Sequence, residues 1–348
     1  MNIKMWKKAL QVIPNVSKEE WGDLDLISRW LISTRAAVLI MTLLSAVFAG
    51  LFAWHDQIRF RLIDWILLTF GLIFAHAANN LFNDYTDFVR GVDKDNYYRT
   101  MYGPQPIADE LMTKKQHLNY FFVTGLIALL CGVALLLVDS QMDPIKLLLL
   151  GLGAFFVLFY TWPLKYLAMG EISVLIVWGP LMIGGGYYIL TNSWSWTVIL
   201  ASLPYVLGVT SVIFGKHIDK IKVDKEKKIY TLPVIIGEKA GRFSLILLMT
   251  LPYLLVLILI ITKYFTPILL IVVFALPTLI KLLPQIRKPR PESKPEGFPE
   301  GQGGWPLYFA PLAFVNNRAF GVWFMFGLIL DVILRIFAPL FWKWLVKA

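Results

Sequence analysis

Apolar runs of about twenty residues recur along the whole chain, from one beginning near Ile32 to one ending near Phe341. That length is what a helix needs to cross the hydrocarbon core of a bilayer. Few folds remain open to such a chain. In lipid every backbone N–H and C=O must find a partner inside the protein, so the crossing elements are helices or a closed barrel. The runs do not alternate apolar and polar residues as barrel strands would. The sequence therefore predicts an all-α polytopic membrane protein with nine transmembrane helices. They fall over 32–54, 62–83, 118–138, 145–162, 171–190, 197–216, 242–262, 265–284 and 319–341. Charged residues make up only 16% of the chain, against about 25% in soluble domains. Internal prolines Pro180, Pro204, Pro252 and Pro277 predict kinks of the kind membrane helices tolerate.

Residues 1–31 are expected to form a cytoplasmic segment. Its Ser17-Lys18-Glu19-Glu20 is a capping box, and Trp21, Leu24, Ile27 and Leu31 follow at helical spacing, which predicts an amphipathic helix on the membrane surface. The N-terminus carries no signal-peptide pattern and is read as retained. Residues 32–284 hold spans one to eight, the expected transmembrane core. Residues 285–318 are rich in Pro and Gly and read as a flexible cytoplasmic linker. Residues 319–348 give the ninth span and the C-terminus.

The formal net charge is +10, which in a soluble protein would raise nucleic acid as a partner. Here the basic residues sort by loop instead. With the N-terminus in the cytoplasm, only Arg59, Arg61, Lys146, Lys263, Arg335, Lys343 and Lys347 fall on the far side. The asymmetry predicts a cell-membrane protein with both acidic stretches cytoplasmic, and no nucleic acid as partner. Cys131 is the single cysteine, so one chain forms no disulfide and no cysteine-based metal site.

The residues that carry chemistry begin at Asn79-Asn80-Leu81-Phe82-Asn83-Asp84-Tyr85-Thr86-Asp87. On a helix His76, Asn80, Asn83 and Asp87 make one stripe, spaced four, three and four apart. Polar and ionisable groups inside a membrane helix are costly, and they mark an ion or a charged substrate. A second acidic stretch follows span six, with Asp219, Asp224 and Glu226 set among lysines. The two stretches lie four spans apart on one face. That spacing suggests two four-helix pseudo-repeats with a ninth helix added. Carboxylates suit Mg²⁺, which bridges them to substrate phosphates, and the nearby lysines suit a diphosphate. A cation or proton transporter is the alternative from another class, although its carboxylates are more often near the bilayer midplane.

Asn83-Asp84-Tyr85-Thr86-Asp87, followed by Gly91 and Asp93, resembles the first aspartate-rich motif of the UbiA superfamily of intramembrane prenyltransferases. The Asp219–Asp224 stretch, ending in Thr231-Leu232-Pro233-Val234 with Gly237, is similar to the second motif of that family. Tyr160-Thr161-Trp162-Pro163-Leu164-Lys165, with Gly170-Glu171, looks most like the 1,4-dihydroxy-2-naphthoate polyprenyltransferases. The sequence departs from the family pattern in three places, one being the Met101-Tyr102-Gly103-Pro104-Gln105-Pro106 stretch after Arg99-Thr100, which lacks the family's usual second arginine. Gly91 stands where other branches have a third aspartate, and Lys220 stands where the second motif normally begins with one.

The resemblance implies Mg²⁺-dependent transfer of a polyprenyl group from polyprenyl diphosphate to an aromatic acceptor, a quinone precursor such as 1,4-dihydroxy-2-naphthoate. Other implied acceptors are 4-hydroxybenzoate, tocopherol-type or chlorophyll-type rings, and isoprenoid glycerol phosphate. Asp84, Asp87, Asp219 and Asp224 would hold Mg²⁺, with Asn83 assisting. Arg99, Lys216 and Lys228 would take the remaining phosphate charge. Asn80 and Asp93 would line the substrate site. Tyr160 would face the allylic cation, and Lys165 an acceptor carboxylate.

Overall fold

The computed structural model describes residues 1–92, 103–138, 143–298 and 304–347. Among these residues every regular element is a helix, and an isolated β-bridge pairs Leu167 with Tyr230. Eight helices are long and apolar enough to cross a membrane: Ala36–His55, Leu62–Val89, Lys114–Leu137, Gly170–Thr191, Trp196–Asp219, Leu232–Ile261, Pro267–Arg287 and Phe309–Phe337. The remaining expected span is the Pro144–Phe159 helix of 16 residues. At 1.5 Å per residue it reaches about 24 Å, short of the roughly 30 Å hydrocarbon core.

Local chemistry explains most element ends. Ser17 accepts from the Glu20 amide, and Glu20 reaches back to the Ser17 amide, completing the expected capping box. The N-terminal segment holds three short helices rather than one: Ile3–Gln11, Lys18–Asp23 and Leu26–Ser33. Asp25 caps the third and ties it to the first, accepting from the Ser28 amide at 2.9 Å and from the Trp6 indole at 3.0 Å. In the Gly170–Thr191 span, Val177–Gly184 is wound as a π-helix around Pro180. The proline has no N–H to give the ladder, and a wider turn absorbs that gap.

Three boundaries differ from expectation. The second apolar helix continues to Val89, so the whole Asn79–Asp87 stretch is helical. The seventh begins at Leu232 and breaks at Gly237, whose φ is 80°. The last begins at Phe309, inside the stretch expected as linker, and stops at Phe337. A separate helix, Pro339–Lys347, follows.

The Trp196–Asp219 helix is the central strut. Its apolar stretch is 78% buried, against 17% for Lys114–Leu137 on the lipid side. It packs against the last helix closely enough that a methyl group on Gly215 would lie 2.8 Å from the Phe309 carbonyl. Around it Phe48, Phe52, Tyr205, Phe265 and Phe324 form the largest buried cluster. At one end of the bundle, buried His55 and Asp331 form an ionic network with the partly exposed Asp56 and Arg335. Tyr187 and Tyr264 donate to Asp56 and Thr266 donates to Asp331. Such partners are what keep charge tolerable in a protein interior. The acidic stretches close the second and sixth apolar helices at the opposite end.

Candidate active site

The Leu62–Val89 helix sets the first half of the site. Gly91, at φ 71°, terminates it. The Val92 amide bonds the Asp87 carbonyl at 2.9 Å, and the Gly91 amide bonds Phe88 at 3.0 Å. This is a Schellman turn, in which the left-handed position favours glycine. Gly91 therefore stands where a third family aspartate would be because the helix ends there, with Asp87 in its last turn.

Each carboxylate of this half has a cation. Asp84 is ion-paired to Arg35, which sits at the start of the Ala36–His55 helix. Asp87, wholly buried, lies 3.2 Å from the Lys165 ammonium. Asn80 donates to the Thr34 carbonyl at 2.9 Å, and Asn79 to Val157 at 3.0 Å. Lys165 was expected to meet an acceptor carboxylate. Here it holds a carboxylate of the protein itself.

The second half divides into two parts. Lys220 and Asp224 form a buried ion pair at 2.9 Å, one helical turn apart. The second oxygen of Asp224 has no hydrogen-bond partner among the described residues, and the side chain is 1% exposed. Asp219 points elsewhere. Its two oxygens accept from the amides of Phe309 and Ala310 at 2.9 and 3.0 Å. The first amides of a helix lack intrahelical partners, and a carboxylate there satisfies them and the positive end of the dipole. Asp219 is thus a tether for the last helix, which departs from the metal-ligand expectation.

Residues 160–171 lie between the halves. Lys165 touches Asp87, while the Glu171 carboxylate accepts from His217 Nδ1 at 2.7 Å. Lys227 donates to the Val92 carbonyl, joining the end of the first motif to the second. Lys228 borders a cleft of about 400 Å³ with Arg90, Lys227 and Tyr166. The Arg90 guanidinium stacks 4.6 Å from the Trp162 ring. Asp93 and Arg99 lie outside the described residues.

The chain also holds a cavity of about 1750 Å³ with mostly aliphatic and aromatic walls. Its polar lining includes Arg35, His76, Asn80, Asn83, Tyr160 and Lys216. Asn317 and Arg318 of the last helix also reach it. Sequence reasoning passed over this pair because it fell in or beside the supposed linker. The Arg35–Asp84 and Lys165–Asp87 pairings join residues 49 and 78 positions apart, which no local pattern signals. The Lys220–Asp224 spacing of four is the one pairing a local reading could have found.

The donors present suit a hard cation. Asp84, Asp87 and Asp224 offer carboxylate oxygens, and Asn80 and Asn83 amide oxygens, the ligand types Mg²⁺ prefers. The buried Asp224 oxygen that has no hydrogen-bond partner among the described residues is the donor best suited to meet a positive charge. Among the described residues no three His, Cys, Asp or Glu side chains form a ready cage. Mg²⁺ commonly takes few protein ligands and completes its shell with water and phosphate.

Comparison with known proteins agrees with this architecture. The chain is 29% identical over 228 residues to 1,4-dihydroxy-2-naphthoate octaprenyltransferase of Escherichia coli K12, covering 63% of this chain and 72% of that one. It is 27% identical over 223 residues to the UbiA prenyltransferase domain-containing protein 1 homolog of Drosophila melanogaster, covering 63% of this chain. The match spans 59% of the fly protein's length. Among solved structures, a UbiA homolog from Aeropyrum pernix K1 superposes with a TM-score of 0.60 at 17% identity, over 83% of this chain and 97% of that one. A UbiA homolog from Archaeoglobus fulgidus, solved bound to GPP and Mg²⁺, gives a TM-score of 0.53 at 14% identity, over 86% and 99%. The family model for the UbiA prenyltransferase family matches residues 32–298, and with most of the helical core inside that match the chain belongs to the UbiA prenyltransferase family.

Proposed function

We propose that this chain transfers a polyprenyl group from polyprenyl diphosphate to an aromatic quinone precursor within the bilayer, with Mg²⁺ as cofactor and 1,4-dihydroxy-2-naphthoate as acceptor. The observation that carries the reading is a mostly apolar cavity of about 1750 Å³ with a polar group of Arg35, Asn80 and Asn83 on its wall, Arg35 being the ion-pair partner of Asp84. A prenyl diphosphate has that same division. The Escherichia coli relative supports the acceptor, and the Archaeoglobus structure with GPP and Mg²⁺ supports the donor and the metal.

When bound, Mg²⁺ supplies Lewis acidity toward the leaving diphosphate, held by Asp84, Asp87 and Asp224 with Asn83. Arg35, Lys165 and Lys220 hold those carboxylates in place by ion pairing. Lys216, on the cavity wall, and Arg90, Lys227 and Lys228, on the adjoining cleft, supply positive charge toward phosphate oxygens. Such fixed charges stabilise the oxygen that becomes negative as the allylic bond breaks. Asp93 and Arg99 are assigned to the substrate from the sequence motif alone. Tyr160 and Trp178 line the cavity, where an aromatic face attracts an allylic cation by about 0.5–2 kcal/mol. The aliphatic walls keep water from that cation and seat the tail. The basic-residue asymmetry supports a cytoplasmic position for the N-terminus and for both acidic motifs.

The test is purified protein in nanodiscs with labelled geranylgeranyl diphosphate and a panel of acceptors, with and without Mg²⁺. Prenylated naphthoate that forms only with Mg²⁺ is the expected result. Product without metal, or no product with any acceptor, refutes the proposal. Proton flux in sealed liposomes without transfer would mark a transporter instead.

A further inference from the structure

One polar group in the cavity wall has no part in that scheme. His76 lies on the cavity side of the Leu62–Val89 helix, eight residues before Asp84, roughly 12 Å along the axis. Its ring is held from two directions. Nδ1 is 2.7 Å from the Thr42 hydroxyl, and the Trp178 ring stands edge-on at 5.5 Å and 89°. The ring is partly exposed although it sits in mid-span, and what it faces is the cavity. Nε2 has no partner among the described residues.

Thr42 fixes which ring nitrogen carries the proton. Its side chain is fully buried, and His76 Nδ1 is its sole hydrogen-bond partner among the described residues. Several buried helix hydroxyls, Thr210 and Ser202 among them, donate to backbone carbonyls of their own helix. Thr42 does not, so its proton goes to Nδ1. A buried hydroxyl left without an acceptor would be strongly disfavoured. A neutral imidazole that accepts at Nδ1 carries its hydrogen on Nε2. His76 therefore presents one fixed N–H donor to an otherwise apolar stretch of wall, beside Met41 and Leu72.

We propose that His76 recognises the acceptor, donating a hydrogen bond from Nε2–H to a ring hydroxyl oxygen of the aromatic substrate. The inference rests on the reading of the chain as an aromatic prenyltransferase. It adds that the acceptor seats deep in the cavity, with an oxygen against His76 and Trp178 beside the ring. The diphosphate stays near Asp84 and Asp87. His76 thereby selects rings that carry a hydroxyl over rings that do not, because an apolar ring would leave the donor unpaired.

The experiment uses full-length protein in nanodiscs and measures equilibrium binding of labelled 1-hydroxy-2-naphthoate, 4-hydroxy-2-naphthoate and 2-naphthoate. Wild type is expected to bind one of the hydroxylated acids about ten- to hundred-fold more tightly than 2-naphthoate. His76→Leu should erase that preference and leave 2-naphthoate binding and the KM for prenyl diphosphate unchanged. His76→Gln, which keeps an N–H donor, should restore part of it. The protein has four histidines, so ¹⁵N-histidine spectra of wild type and His76→Gln identify the His76 signals. They should show the Nε2-protonated form in wild type and lose it in Thr42→Val. A preference that survives His76→Leu, or an Nδ1-protonated ring in wild type, overturns the inference even when prenyl transfer is intact. Absence of transfer to any aromatic acceptor is the separate result that removes the functional reading beneath it.

Discussion

Asp219 separates a metal ligand from a helix tether, and its replacement distinguishes them. The carboxylate accepts the Phe309 and Ala310 amides at 2.9 and 3.0 Å. Hydrogen bonds to a charged group contribute about 1.5–3 kcal/mol each, and losing a helix cap costs about 0.5–2 kcal/mol. The two bonds share one carboxylate and overlap, so Asp219→Ala should cost about 3 kcal/mol. That corresponds to a rise of roughly a hundredfold in the unfolded fraction. Asp219→Asn keeps one acceptor oxygen and should cost about half as much. The assay is thermal unfolding in a fixed detergent, paired with protease cleavage between 288 and 308 and with Mg²⁺ titration. Midpoints should fall from wild type to Asn to Ala, cleavage should rise in the same order, and Mg²⁺ affinity should hold. Unchanged midpoints with weakened Mg²⁺ binding would refute the tether and return Asp219 to the metal site.

Asp87→Asn removes a carboxylate 3.2 Å from Lys165 and should lower kcat by about a hundred- to thousand-fold, read by product formation at saturating substrates. Gly91→Val should lower the unfolding midpoint, at a cost of about 1–2 kcal/mol, because φ is 71° there. Gly91→Asn should cost clearly less, since asparagine tolerates the left-handed region, and equal losses would count against the turn. The Ser28 amide chiefly holds the Asp25 carboxyl well below its ordinary 3.8, with the Asn2 amide and Trp6 indole adding to it against some desolvation. A depressed carboxyl stabilises the fold above its unfolded value and loses that contribution as pH falls through the folded value. Docking of the Ile3–Gln11 helix should therefore persist at pH 5 and weaken only well below pH 3.8, measured by hydrogen exchange over residues 1–30 in wild type and Asp25→Asn.

The parts of this protein that could be read from the chain are those decided within a turn or two of helix. The Ser17 capping box is such a case, formed by residues three apart. The stripe from His76 to Asp87 is another, because helical period alone puts its members on one face. The start of the last helix was misplaced by ten residues. What decides it is Asp219, some ninety residues earlier, closing on the Phe309 and Ala310 amides. Gly91 looked like a missing aspartate until its positive φ tied it to the end of the helix.

By itself the sequence determined that this chain is a helical membrane protein with an Asn- and Asp-bearing face. Apolar length and the demand for internal hydrogen bonds leave little choice in lipid. Only the tertiary structure decided how those acids are used. Asp84 meets Arg35, Asp87 meets Lys165, Asp224 meets Lys220, and Asp219 turns to the last helix. Buried charge must find a partner wherever the packed helices bring one within reach. Most of those partners lie tens of residues away in the chain, beyond what local periodicity can encode.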